Sequence, residues 1–256
     1  GNGNVAIDLL RLLAKSPEEL DGTDLGDGPS RWLAEAGIKE ITILGRSPAA
    51  EARFDPVMVK ELGKLGAVSV EMDPVGEGEG KLLDALRALD GHGTGPRRIR
   101  FRFSHVPVKV EGAERVEALV CRTPSSPEVR LPATSIITAI GFEDAGGLDR
   151  KAVLAGESPG LYATGWFARG PRGTIPENRA DAQVLAARIL EDLETLPKVE
   201  DADLFKGREG VVDYAGWSRI DATETAQPPA GRVRTKIADR EGLIAAARAP
   251  DTEETS

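Results

Sequence analysis

The opening stretch of the chain, GNGNVAIDLLR, constrains the fold more than any other segment. Gly1, Gly3 and Ala6 give the spacing G-x-G-x-x-A, and an apolar helical pattern follows directly. Between a strand and a helix, this spacing permits a tight turn and a close approach of the backbone to a pyrophosphate at the helix N-terminus. The pattern therefore predicts a dinucleotide-binding turn, although an ordinary turn before a helix has the same signature.

This turn requires a strand before it, and the sequence begins at the turn itself. Because the first residue is Gly1 and not methionine, we expect the sequence to be part of a longer protein. The preceding strand would form the centre of a parallel sheet. We therefore expect an open position in the sheet that this chain forms.

Length, composition and charge narrow the class of protein. The 256 residues, 40% apolar and 29% charged, are typical of a globular protein with one large or two ordinary domains. The net charge of -9 disfavours nucleic-acid binding by phosphate neutralisation. No apolar stretch approaches the roughly 20 residues of a membrane span, and no signal-peptide pattern is present, so we expect a cytoplasmic protein. One cysteine and two histidines predict neither a disulfide framework nor a Cys/His metal site.

Local patterns in the first part of the chain predict individual elements. A helix is predicted from about Asn4 to Lys15, and strands are predicted at KEITILG and AVSVEM. Asp55 and Pro56 suit the N-cap and the first turn of a further helix.

The order of helical and strand patterns predicts an α/β fold with a parallel Rossmann sheet. A β-meander is predicted over about 98–132, and its first strand carries Ile99, Phe101 and Phe103 in alternation with arginines. Two apolar runs, SIITAIGF and GLYATGW, predict strands buried on both faces of a parallel sheet. A long amphipathic helix is predicted over about 177–194.

Two further segments have residue types that suit nucleotides. Arg46 follows the strand ITILG, where NAD-binding folds usually have a carboxylate for the ribose, so it favours a 2′-phosphate and NADP. A solvated loop arginine is the alternative interpretation. The segment GWFARGPRGTI combines an aromatic residue, three glycines and a helix start, which would bring backbone N–H groups close to a ligand.

Four stretches together, GNGNVAIDLLR, TILGRSP, SIITAIGFE and PGLYATGWFARGPRGTI, resemble adrenodoxin reductase and the adrenodoxin-reductase-like ferredoxin–NADP reductases. The resemblance runs from residue 1 to about residue 195. It implies a glutathione-reductase-like two-dinucleotide-binding fold, of which the first strand and the N-terminal FAD segment are missing here. It also implies an NADP-binding Rossmann domain at 1–145, and the C-terminal part of an FAD-binding domain with a tail at 146–256.

The resemblance also implies which residues bind the cofactors, with no catalytic side chain and no metal ligand, since the cofactors carry the chemistry. Those assigned to NADP are Asn2, Gly3, Asn4, Val5, Arg46 and Ser47, and those assigned to FAD are Trp166, Gly173, Thr174 and Ile175. Ser47 stands where the family repeats arginine, and Met58 stands where the family has a nucleotide-contacting glutamate. The preference for NADP over NAD is therefore left open.

By the same resemblance, the parent protein transfers a hydride between NADPH and FAD and single electrons to a ferredoxin-like iron–sulfur protein. A basic surface that could receive an acidic partner is offered by Arg97, Arg98, Arg100 and Arg102, and by Arg169 and Arg172. The first group also fits an exposed strand edge guarded by charge. Two alternatives remain open, an NADP-binding module without turnover on its own and a different FAD/NADP flavoprotein oxidoreductase.

Overall fold

The computed structural model describes residues 1–143, 146–170, 173, 175–196, 205 and 207–250. The chain divides into two compact units. One comprises residues 1–140 and the segment that begins at Glu209, and the other is Gly141–Arg208. The segment from Glu209 belongs to the second domain in the prediction for 146–256, whereas the structure groups it with the first unit. Which nucleotide each domain binds stays a prediction.

Helices and strands alternate through the first part of the chain, as the sequence pattern predicts. The strands within the described residues are β1 (Glu40–Leu44), β2 (Val68–Met72), β3 (Arg97–Arg102), β4 (Val106–Glu111), β5 (Ala118–Thr123) and β6 (Ser126–Pro132). The helices are α1 (Asn4–Ala14), α2 (Pro17–Leu20), α3 (Asp27–Glu35), α4 (Pro56–Leu62), α5 (Lys81–Leu89), α6 (Arg150–Ala155), α7 (Gly165–Arg169), α8 (Ile175–Asp192), α9 (Tyr214–Thr225) and α10 (Arg240–Arg248). No helix in the described part of the chain has the length and apolar character that a bilayer crossing needs.

A parallel three-stranded sheet in the order β1-β3-β2 forms the centre of the first unit. Alternate residues of β3 point to opposite faces, so Ile99 and Phe101 lie on one face and are fully buried. Helices α1, α4 and α5 contribute apolar side chains to the same core. The α/β class predicted from the sequence is therefore confirmed.

The strand that carries Ile99, Phe101 and Phe103 does not belong to the meander, so this part of the prediction is wrong. It is β3, which pairs in parallel with both β1 and β2. The backbone leaves the sheet at Ser104, whose φ is 56°, and the antiparallel meander β4-β5-β6 begins two residues later. Alternation of apolar residues identified the strand correctly, but alternation carries no information about which strand lies beside it.

The opposite face of the parallel sheet carries a ladder of ion pairs. Arg98 and Arg100 pair with Glu40 at 3.3 and 2.9 Å. Arg100 and Arg102 pair with Glu71, and Arg102 also pairs with Asp73 at 2.5 Å. Three guanidinium groups thus meet three carboxylates. The ladder is neutral overall, which removes the basic surface that these arginines could offer an acidic partner.

Arg97, the fourth arginine of that group, has a structural role. Its guanidinium donates to the carbonyl oxygens of Leu13 and Lys15 at the end of α1, at 3.0 and 2.8 Å, and to Ile38 before β1 at 3.0 Å. A cation at a helix C-terminus satisfies carbonyl groups that lack intrahelical partners. Arg97 therefore joins the first helix to the sheet.

The two apolar runs SIITAIGF and GLYATGW are not strands, so these predictions are wrong. In the first run Ile137 and Ile140 are 58% and 85% exposed. In the second run, α7 begins at Gly165 after an irregular segment. A strand needs a neighbour that completes its backbone hydrogen bonds. No strand among the described residues pairs with either segment.

The second unit consists of helices within its described residues. Asp149 caps α6 through its carboxylate, and the guanidinium of Arg150 donates to the Phe167 and Ala168 carbonyls of α7. Tyr162 donates to Asp192 of α8 at 2.9 Å. The predicted helix over 177–194 is confirmed as α8, but none of its described residues is buried.

Candidate dinucleotide-binding site

The glycine turn lies at the carboxyl end of β1. The Gly1 amine donates to the Leu44 carbonyl at 2.8 Å, and a Cβ at Gly1 would overlap the carbonyl oxygen of Ala139. Around Gly3 the space is open, because a Cβ there would meet no atom of the described residues within 4 Å. Helix α1 begins at the next residue, and the Val5 amide has no acceptor among the described residues. The turn thus presents an open backbone and a helix N-terminus, which suit an anionic group.

The side chains of Asn2 and Asn4 attach the loop that follows β1 to this turn. Asn2 Nδ2 lies 3.5 Å from the carbonyl oxygen of Ser47, and Asn2 Oδ1 is buried without a hydrogen-bond partner among the described residues. Asn4 Oδ1 accepts from the Asp55 amide at 2.7 Å. Asp55 in turn caps α4, as the sequence predicts. The asparagine side chains therefore fix loop 46–55, and the turn's backbone remains available for a ligand.

We expect Asn4→Ala to reduce the free energy of unfolding by about 1 kcal/mol, because the partly buried Asp55 amide loses its acceptor. Urea titration followed by circular dichroism measures the change. Asn4→Asp keeps an acceptor oxygen at the same position and is expected to stay near the wild-type stability. Equal destabilisation of both variants would contradict the assigned role of this hydrogen bond.

Arg46 and Ser47 follow β1 after Gly45 and lie beside the turn. Arg46 is exposed, and its guanidinium has no ion-pair or hydrogen-bond partner among the described residues. The loop returns to the turn at Arg53, whose amide donates to the Asn2 carbonyl at 2.7 Å. The structure thus brings the six residues assigned to NADP to one edge of the sheet. Their contacts with a nucleotide stay a prediction.

Met58 and Glu61 of α4 are the two residues to compare with the family's nucleotide-contacting glutamate. Met58, which stands where the family has a glutamate, packs partly against the core. Glu61, one turn further along α4, forms an ion pair with Arg11 at 2.7 Å. Met58 carries no charge and the Glu61 carboxylate is paired with Arg11, so the preference for NADP over NAD stays a prediction.

A cavity of about 450 Å³ lies at the ends of β2 and β3, next to this loop. Its walls include Pro48, Asp73 and His105. Asp73 accepts from the Phe103 amide at 3.1 Å, and His105 Nδ1 lies 2.7 Å from the Phe103 carbonyl oxygen. Asp73, His105 and Arg53 were not predicted from the sequence. The available signal was their position in the segments that follow the carboxyl ends of strands.

The residues assigned to FAD lie in the second unit. Trp166 is half-exposed, and its ring lies 5.0 Å from that of Phe142, centroid to centroid. Gly173 has a φ of +109°, and Ile175, at the start of α8, is 84% exposed. Thr174 lies outside the described residues. An open aromatic face and an exposed apolar residue at a helix start fit an isoalloxazine ring, and the contacts themselves stay a prediction.

Arg169 and Arg172 were considered as further contacts for an acidic partner. Arg169 Nε lies 2.9 Å from an Asp181 carboxylate oxygen, and the same guanidinium donates to the Asn178 side chain. Arg172 lies outside the described residues. The charge of Arg169 is thus compensated within α8.

The parallel sheet, the glycine turn at its carboxyl edge and the exposed arginine beside it define an α/β protein of the dinucleotide-binding type. No family model matches the chain. Cindoxin reductase of Citrobacter braakii is 37% identical over 100% of this chain and 62% of its own length. NADPH-ferredoxin reductase FprA of Mycobacterium tuberculosis is 29% identical over 95% of this chain and 65% of its own length.

A comparison with solved structures also finds similarity to a reductase of this kind. FprA from Mycobacterium tuberculosis in complex with NADPH matches with a TM-score of 0.81 and 28% identity, over 96% of this chain and 66% of that one. The chain belongs to the adrenodoxin-reductase-like ferredoxin–NADP reductases, and the resemblance stated from its motifs is confirmed. It spans somewhat less than two thirds of the length of these relatives.

Proposed function

We propose that this chain is the NADP-binding part, with the C-terminal portion of the FAD-binding part, of a cytoplasmic ferredoxin–NADP reductase. The observation that carries the proposal is the shared edge of the glycine turn and Arg46 at the carboxyl end of β1. The turn suits a pyrophosphate, and Arg46 suits the 2′-phosphate that distinguishes NADP from NAD. The similarity to reductases whose names specify NADPH supports the same assignment.

FAD is the second proposed cofactor, with Trp166, Gly173, Thr174 and Ile175 as its contacts in this chain. When both cofactors are bound, they supply hydride transfer between NADPH and FAD and one-electron transfer to a ferredoxin-like iron–sulfur protein. The chain's own part is to hold phosphates at α1 and Arg46 and to cover a flavin with Trp166. The N-terminus of α8 would favour negative charge on the flavin by about 0.3 to 1 kcal/mol.

Arg46→Ala tests the NADP assignment. We expect a dissociation constant for NADP⁺ about tenfold higher, because one charge-assisted contact with the 2′-phosphate is lost. The affinity for NAD⁺, which lacks that phosphate, should not change. Isothermal titration of both nucleotides measures the effect, and an unchanged NADP⁺ affinity would contradict the proposal.

An NADP-binding module without turnover is the second candidate function. It is favoured by the division of the chain, since all six residues assigned to NADP lie in the first unit, which has its own apolar core. Flavin absorbance of the purified protein and reduction of ferricyanide by NADPH separate the two candidates. A yellow protein that reduces ferricyanide supports the reductase, and a colourless one that still binds NADP⁺ supports the module. Comparing ferredoxin with other electron acceptors tests the remaining alternative, a different FAD/NADP flavoprotein.

A further inference from the structure

Arg53 lies opposite the glycine turn. Its amide donates to the Asn2 carbonyl at 2.7 Å, and it forms an isolated parallel bridge with Gly3. The backbone of Arg53 is therefore fixed directly beside the residues to which the pyrophosphate is assigned.

The side chain of Arg53 is exposed and has no hydrogen-bond or ion-pair partner among the described residues. The nearest acidic residues along the chain do not compensate it. Glu51 is exposed and forms no ion pair with it, and Asp55 Oδ1 accepts from the Val57 amide at 2.7 Å. In contrast, the sheet arginines Arg98, Arg100 and Arg102 are all paired with carboxylates. Within the described part of the chain, Arg53 thus has a positive charge with no paired carboxylate, at the candidate ligand edge of an acidic protein.

Arg53 and Arg46 stand at the two ends of one loop, and Asn2 connects those ends. Gly45 and Ser47, on either side of Arg46, both contact the Asn2 side chain, while the Arg53 amide binds the Asn2 carbonyl. The backbones on which both arginines stand are therefore held against the same residue, Asn2. Two long, exposed side chains that start beside one residue can reach the same phosphate.

We propose that Arg53 is a specificity-determining residue that binds the 2′-phosphate of NADP together with Arg46; this rests on the proposed function. A phosphate monoester carries about 1.5 to 2 negative charges at neutral pH, more than one guanidinium balances. Ser47 beside Arg46 contributes no charge. The pyrophosphate, by comparison, is received by the open turn and the N-terminus of α1. A second guanidinium would therefore balance the remaining charge of the 2′-phosphate.

Isothermal titration of NADP⁺ and NAD⁺ into the wild-type chain, Arg53→Ala and Arg53→Lys tests this inference. For Arg53→Ala we expect an NADP⁺ dissociation constant about tenfold higher, with NAD⁺ affinity unchanged. Arg53→Lys keeps the charge but not the bidentate geometry, so its effect should be smaller. Arg115→Ala removes an exposed arginine from the turn between β4 and β5 and serves as the matched control. Far-UV circular dichroism checks that every variant is folded.

The affinities of the variants for the two nucleotides distinguish a role of Arg53 at the 2′-phosphate from the other possible roles. An equal loss of NADP⁺ and NAD⁺ affinity would place Arg53 at the pyrophosphate and overturn its role in specificity. Unchanged affinities, or a loss matched by Arg115→Ala, would overturn the inference entirely. If Arg46→Ala weakens NADP⁺ binding while Arg53→Ala does not, the inference fails and the proposed function stands. If the wild-type chain binds neither nucleotide, it is the proposed function that fails.

Discussion

Phe101→Ala is expected to reduce the free energy of unfolding of the first unit by about 3 to 5 kcal/mol, the largest effect of any substitution considered. Phe101 is fully buried on the central strand β3. It lies in register with Ile43 of β1 and Met72 of β2. Its ring meets Phe54 edge-on at 5.9 Å and stacks with Phe103 at 6.4 Å, centroid to centroid. Truncation would remove contacts with all of these residues and leave a cavity.

Urea titration of the chain, followed by circular dichroism, measures this loss. Phe101→Leu should cost less than the alanine variant, because it keeps most of the apolar volume. Trp32→Ala, which truncates a 57% exposed aromatic residue of the same unit, is the control and should change stability by no more than about 0.5 kcal/mol. A loss below about 1 kcal/mol for Phe101→Ala would mean that β3 is not the central strand of the core.

Local chemistry made the first part of the fold predictable from the sequence. Helix α1 was predicted to begin at Asn4 and does so, and Asp55 was predicted to cap a helix with Pro56 in its first turn. Strands β1 and β2 coincide with the predicted apolar segments. These signals are contained within a few consecutive residues, so they need no knowledge of the rest of the fold.

Long-range pairing could not be read in the same way. The strand predicted from SIITAIGF has the right composition, but its backbone finds no partner strand among the described residues, and Ile140 is 85% exposed. Arg98, Arg100 and Arg102 looked like a basic surface because their carboxylate partners lie 29 or more positions away in the sequence. Only the sheet order β1-β3-β2 brings Glu40, Glu71 and these arginines together.

The candidate site was predictable to the extent that it lies in contiguous motifs. The turn and Arg46 were identified because strand ends and glycine spacing mark phosphate sites. Arg53 was not identified, because its place beside Gly3 depends on the loop folding back onto Asn2. Asn4 was assigned to the NADP turn, and the structure adds that its side-chain oxygen accepts from the Asp55 amide. Sequence spacing indicates which residues form such a site. The hydrogen bonds in the folded chain determine which of their polar groups remain available to a ligand.

Glu224 stabilises the C-terminal part of the first unit. Its side chain on α9 is only 3% exposed. It accepts from Lys236 at 2.8 Å, from Arg234 at 3.1 Å and from the Ile237 amide at 3.1 Å. These donors lie in the segment that joins α9 to α10. One carboxylate therefore fixes the path of the chain between two packed helices.

Glu224→Gln is expected to reduce the free energy of unfolding by about 2 kcal/mol near pH 7, because charge-assisted hydrogen bonds become neutral ones. The value lies below that of a fully enclosed pair, since Lys236 is half-exposed and solvent screens part of the attraction. Urea titration measures the difference. Glu117→Gln is the control, because Glu117 is an exposed glutamate directly before β5. This substitution should change the free energy of unfolding very little.

The stabilisation that the Glu224 carboxylate provides should depend on pH, and the direction of that dependence follows from its pKa. The hydrogen bond from Lys236, with those from Ile237 and Arg234, holds the pKa of Glu224 in the folded chain below its ordinary value of 4.5. As the pH falls, the carboxylate is therefore protonated in the unfolded chain before it is protonated in the folded chain. The stabilisation is fully present above pH 4.5, and it is lost as the pH falls further, through the pKa of Glu224 in the folded chain. The stability difference between wild type and Glu224→Gln should accordingly be constant from pH 7 to about pH 5.5 and shrink at lower pH. A difference that grows on acidification would show that the carboxylate is destabilised in the fold, contrary to its three donors.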